Sequence, residues 1–143
     1  MDRARALEWF RRFHEVQGAF YAGAPADALR ELLNEDVVWH VAGESVIAGI
    51  YEGVEAVMGY FARRRDFASG TFKMHPGEVL VGAGPHVAVL TDGTAIVEGR
   101  DRRWSTVGLY RLRNERIAAC WLLPLDPQEF DAAWGSVAPQ PPS

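Results

Sequence analysis

Residues 33–61, LNEDVVWHVAGESVIAGIYEGVEAVMGYF, decide how this chain folds. They begin at the end of a helix, run into a strand, cross through a glycine-bounded segment and enter another helix. Residues 36–41 alternate with the period of a strand, which places Val38 and His40 on one face and Val37, Trp39 and Val41 on the other. Gly43, Gly49 and Gly53 punctuate the crossing around a short apolar piece, residues 46–48. Val54, Val57, Met58 and Phe61 then recur at i, i+3, i+4 and i+7, the spacing of an amphipathic helix.

His40 is the residue that this stretch singles out. On a strand face turned to a core it is either a neutral imidazole bonded to a backbone carbonyl or an acid/base group in an apolar pocket. The second role is open to it because imidazole's unperturbed pKa, about 6.5, lies nearest to working pH. The strand alone does not choose between them.

Towards the N-terminus, Ala6, Trp9, Phe10, Phe13, Val16 and Phe20 fall at helical spacing, so residues 4–22 are expected to form a long first helix with an aromatic stripe. Trp9, Phe13 and Phe20 become pocket wall if that helix covers a concave sheet, and are otherwise core. Gly23 suits the left-handed C-terminal cap, and Pro25 the first turn of a second helix. Leu29, Leu32 and Leu33 are expected to face inward from it. The run Arg63, Arg64 and Arg65 at the end of the third helix complements the helix dipole and is read as a solvated face.

The second half changes period. Residues 71–81, 86–99, 103–113 and 116–125 are rich in Val, Leu, Ile, Thr, Tyr and Trp and are separated by turn residues, as in an antiparallel meander of four strands. Asn114-Glu115 is the clean hairpin turn. Asp92-Gly93 is read as a bulge that bends one long strand, because a turn there would leave residues 94–99 as a stub. Residues 126–134 look like a short helical return. Residues 1–135 thus form one domain, and the proline-rich tail, 136–143, is expected to be disordered.

Composition narrows the function. A 143-residue chain with 48% hydrophobic residues can bury a sizeable single core. A net charge of −4 argues against a nucleic-acid partner, which would need a basic face. The single cysteine, Cys120, rules out an intrachain disulfide, and His14, His40, His75 and His86 show no ligand spacing, so neither metal nor cofactor is expected. The start, MDRARALEWFRRF, has no apolar leader segment, and no run approaches the ~18 apolar residues of a membrane span. A cytoplasmic protein without membrane contact is the expectation.

The pieces FYAGAPADALRELLNEDVVWHVAGES, IAGIYEGVEAVMGYFARR and VGLYRLRNERIAACW, which span most of residues 20–121, resemble the SnoaL-like group of the nuclear transport factor two-like superfamily. That group is related in fold to polyketide cyclases, ketosteroid isomerases and limonene epoxide hydrolase. The resemblance implies an α+β fold: a cone-shaped, curled, mostly antiparallel sheet covered by three helices from the N-terminal half. It also implies that His40 lines a pocket, with weaker support for Tyr51 and Trp121. The group usually has an acidic residue directly after that tryptophan, whereas here Leu122-Leu123-Pro124 follows. Any mechanism that needs a carboxylate there is therefore in doubt.

In such a pocket His40 is the expected base, Asp92 or Glu98 its acidic partner, and Tyr51 or Tyr110 a donor to a developing oxyanion. Trp9, Phe13, Phe20, Phe61, Tyr110 and Trp121 are the expected substrate-binding wall. Tyr110 shares a strand face with Trp104, Thr106, Gly108 and Leu112, and Trp121 one with Ile117, Ala119 and Leu123, but the pattern does not say which face is concave. The expected function is cofactor-independent acid/base chemistry on an apolar, oxygenated, polyketide- or terpenoid-like compound, by a cyclase, isomerase, dehydratase or hydrolase. The alternatives are a non-catalytic ligand-binding or sensor protein of the same fold, and a dimerising module with a vestigial pocket. A broad apolar outer sheet face would be covered in a homodimer.

Overall fold

Helix α1 (Arg3–Tyr21) starts where the Asp2 carboxylate accepts a hydrogen bond from the Arg5 amide at 2.8 Å. In the computed structural model, which describes residues 1–135, its buried stripe includes Phe10, Phe13, His14, Gln17, Phe20 and Tyr21. The tail, 136–143, and the expectation placed on it lie outside the described residues. Gly23, at φ +111°, takes the left-handed position after the helix, and the Ala24 amide donates back to the Ala19 carbonyl at 2.9 Å.

The second helix is shorter than its leucines imply. α2 (Asp27–Arg30) is a single turn, and Leu33 already opens β1 (Leu33–Val41), held there by pairing with Ile117. The crossing contains a strand that sequence periodicity did not reveal, β2 (Gly49–Glu52), paired antiparallel with β1. It is four residues long at the sheet edge and largely exposed, so it has no burial pattern to read. There follow α3 (Val54–Phe67), β3 (Lys73–Val81), β4 (His86–Val97), β5 (Arg100–Arg113), β6 (Arg116–Pro124) and α4 (Pro127–Trp134).

The strands form one mixed, open sheet in the order β2-β1-β6-β5-β4-β3, with β1 and β6 parallel and the other pairs antiparallel. The domain is α+β, as expected, with α4 added to the three earlier helices. All three longer helices lie on one face: Phe10 of α1 meets Tyr110, Phe61 of α3 meets Trp39, and Trp134 of α4 meets Trp104, with ring centroids 4.8, 5.0 and 4.9 Å apart. The face bearing Trp104, Thr106, Gly108 and Tyr110 is therefore the inner one.

The expected bulge at Asp92-Gly93 is corrected. β4 pairs with β5 in unbroken register from His86↔Arg111 to Val97↔Arg100, and the turn is Glu98-Gly99, both at positive φ. The extra residue sits in β3, between Pro76 and Val79. Gly93 is glycine for a packing reason: a Cβ there would come within 2.4 Å of the Trp104 indole. Asn114-Glu115 is the hairpin turn that its sequence implies, with φ of 54° and 59°.

Candidate functional site

Strand alternation separates the expected site residues onto two sides. Trp39 points inward and is 1% exposed, so its neighbour His40 points outward. There the His40 ring stacks on Trp121 at 5.0 Å and 5°, and its Nδ1 lies 3.1 Å from the Cys120 carbonyl. The expectation that His40 and Trp121 line the inner pocket is thus corrected. Asp92 cannot pair with His40, because β5 and β6 intervene between their strands; its carboxylate instead accepts from the Ser105 hydroxyl at 2.5 Å. Glu98 is exposed in the β4–β5 turn. Tyr51 does face inward, 4.7 Å from the Tyr60 ring, but its hydroxyl donates to the Ile47 carbonyl at 2.6 Å.

The aromatic residues divide less evenly. Phe13, Phe61 and Tyr110 are buried on the inner face, where Tyr110 touches Phe10, Phe13 and Trp39. Phe20 is buried beneath the Arg65 guanidinium, and Trp9 sits at the rim, its indole N–H donating to the Glu115 carbonyl at 3.0 Å. Among the described residues no group of three His, Cys, Asp or Glu side chains is placed to hold a metal.

Two polar residues that sequence reasoning passed over lie inside. Arg64 is only 5% exposed, although Arg63 beside it is exposed. Val57, Tyr60, Phe61, Arg64 and Ala68 form one helical stripe facing the sheet, so helical phase alone turns Arg64 inward. That phase was the signal available in the sequence; the run of three arginines masked it. The Arg64 Cζ lies 4.6 Å from the centroid of Phe72, 4.9 Å from Trp134, 5.2 Å from Tyr60 and 5.8 Å from Tyr21, and Nη1 donates to the Tyr60 hydroxyl at 2.9 Å. Burial pushes the Tyr21, Tyr60 and Tyr110 hydroxyls and the Cys120 thiol up, so all remain protonated.

The second is His14. It lines a cleft of about 600 Å³ between α1 and β3, together with the apolar Leu7, Phe10, Met74, Val79 and Val89 and the charged Arg11 and Glu15. The β3 bulge beside Gly77 shapes the opposite wall. His14 Nδ1 lies 2.8 Å from the Phe10 carbonyl, which assigns its proton to that nitrogen and leaves the Nε2 lone pair free. Burial pulls the His14 pKa down to about 4, the bond to Phe10 offsetting only part of the shift, so the imidazole is neutral at pH 7. A cavity of about 690 Å³ further along β3 and β4 is lined by Thr71, Lys73, Ala95 and Ile96 together with the charged Asp101, Arg102 and Arg103.

Among the described residues no helix is long and apolar enough to cross a membrane. The fold is shared with solved structures. Bal32a, from a soil-derived mobile gene cassette, is 26% identical, with 90% of this chain and 95% of that one covered and a TM-score of 0.83. A proposed polyketide cyclase from Sinorhizobium meliloti is 18% identical over 80% of this chain and 93% of its own, with a TM-score of 0.64. TerC, co-crystallised with polyporic acid, is 14% identical over 89% and 95%, with a TM-score of 0.70. No curated protein sequence matches the chain. A family model described as the SnoaL-like domain matches residues 3–120, and the chain belongs to that family.

Proposed function

We propose that this protein acts on small molecules, taking an apolar, oxygenated, ring-bearing compound of polyketide or terpenoid type and carrying out acid/base chemistry on it without a cofactor. A cyclase, isomerase, dehydratase or hydrolase reaction fits that description. The observation that carries the proposal is the α1–β3 cleft, a mostly apolar space of about 600 Å³ with a neutral imidazole in its wall and the Arg11–Glu15 ion pair among its lining. With its Nδ1 tied to the helix backbone, His14 presents one fixed tautomer, and Nε2 can accept a proton from a substrate C–H or O–H. Negative charge developing on a substrate beside it raises its proton affinity, so a low resting pKa does not preclude the role.

Two neighbours give support by likeness: one solved relative is a proposed polyketide cyclase and another was crystallised with polyporic acid. A second reading, a ligand-binding protein without turnover, draws on a specific observation: the carboxylate that lines the cleft with His14, Glu15, is exposed and paired with Arg11. We also propose a homodimer through the outer sheet face, where Ile50, Leu80 and Leu123 are 64%, 54% and 45% exposed. A cytoplasmic location fits the lone buried thiol of Cys120.

The test is a panel of cyclic ketones, epoxides and phenolic polyketides, screened by thermal shift and followed by product analysis. Stabilisation with turnover that His14→Ala abolishes and His40→Ala spares is the expected result. Stabilisation with the compound recovered unchanged selects the second reading. A panel that neither stabilises the protein nor is converted removes both.

A further inference from the structure

The inner face of the sheet is rich in hydrogen-bond donors and poor in acceptors. Arg64 carries a full positive charge, since guanidinium does not lose its proton in proteins. Among the described residues it belongs to no ion pair. Among the described residues its Nε–H finds no acceptor, nor do the indole N–H groups of Trp39 and Trp134. Trp134 is one of the rings around the guanidinium, and Trp39 lies 6.4 Å, centroid to centroid, from Tyr60, another. The Tyr60 hydroxyl accepts from Arg64, which leaves its own proton to donate onward.

Buried donors are almost always paired, and a buried cation without a counter-charge is the costliest exception. Arg63 and Arg65 lie outside the stripe, so the helix had solvent-facing positions to hand for a cation, yet position 64 carries one on the buried side. We infer that Arg64 is the receptor for an anionic group on the ligand, an aromatic carboxylate or a phenolate or enolate of like shape, whose ring packs among Tyr21, Tyr60, Phe72 and Trp134. A planar guanidinium fork matches a carboxylate in two parallel hydrogen bonds, and the surrounding rings match an aryl body. The inference rests on the small-molecule reading and adds to it an anion-binding group that does not line the α1–β3 cleft.

Calorimetric titration of the full chain with benzoate and with benzamide, its uncharged isostere, tests this. Benzoate is expected to bind at least about tenfold more tightly, the scale of one charge-assisted hydrogen bond in a dry site. Arg64→Met should erase that preference while melting at or above the wild-type temperature, because it removes an uncompensated charge and keeps the volume. Equal affinity for the two probes, or binding of neither, overturns the inference; equal affinity still leaves the small-molecule reading standing. A lower melting temperature for Arg64→Met with no anion preference in the wild type assigns Arg64 to the packing of its four rings. Should Arg64→Met not fold, Arg64→Lys, which keeps the charge but loses the fork, must reduce the preference severalfold; an unchanged preference overturns the inference.

Discussion

On the inner face of the sheet Trp39, Trp104 and Tyr110 are 1%, 3% and 5% exposed and wedged against rings from three helices. On the outer face, one residue away along the same strands, His40 and Trp121 are half-buried and stack on each other, with His86 tilted against Trp121. The inner face buries its polar groups without pairing several of them, whereas the outer face leaves apolar groups in water. The first imbalance underlies the proposed anionic ligand, and the second the proposed homodimer.

The sharpest way to break this comparison is to truncate the same residue type on each face. Trp39→Ala is expected to cost about 3–5 kcal/mol by urea denaturation, as large-to-small core changes do. Trp121→Ala at low protein concentration should cost no more than about 1 kcal/mol. Similar losses at the two sites would erase the distinction between the faces.

A second separation is in pH. His14 has its pKa depressed from its ordinary value to about 4, so the unfolded chain binds the extra proton first on acidification. Stability should be complete above about pH 6.5 and fall by about 3 kcal/mol as pH drops towards 4, because each tenfold difference in proton affinity between the folded and unfolded chain is worth ~1.4 kcal/mol. Histidine-to-leucine substitution at position 14 should flatten that part of the profile. Next in size is Gly93→Ala, expected to cost about 1–3 kcal/mol because Trp104 is held by Phe72, Phe130 and Trp134 and cannot yield. The smallest effect is that of Leu123→Ser, within about 0.5 kcal/mol for the monomer. A concentration-dependent loss seen by analytical ultracentrifugation would place Leu123 in a homodimer contact.

The fold was legible in this sequence because its large elements carry strong periods. α1, α3 and the long strands announce themselves through aromatic stripes and alternation, and Asn114-Glu115 through turn chemistry. β2 was hidden because a short, exposed edge strand leaves no burial signature. The bulge was misplaced because its marker, Gly93, answers to the Trp104 ring and not to backbone bending. The candidate site was less legible than the fold. Alternation defines two faces of the His40 strand but not which one the helices cover; the family resemblance implies the inner side for His40 and Trp121, and the structure puts them on the outer one. Arg64 was concealed by its neighbours, and His14 by the lack of any local motif, since its cleft is completed by residues far along the chain on β3, from Met74 to Val79.

The central claim, that ligands engage the inner face, is tested most directly by the five tryptophan indole N–H signals in a ¹⁵N-labelled sample titrated with benzoate. Trp39 and Trp134, whose N–H groups lack acceptors, should shift most and Trp104 less, while Trp121 and Trp9 stay in place. Movement of Trp121 with Trp39 and Trp134 unchanged would contradict the account.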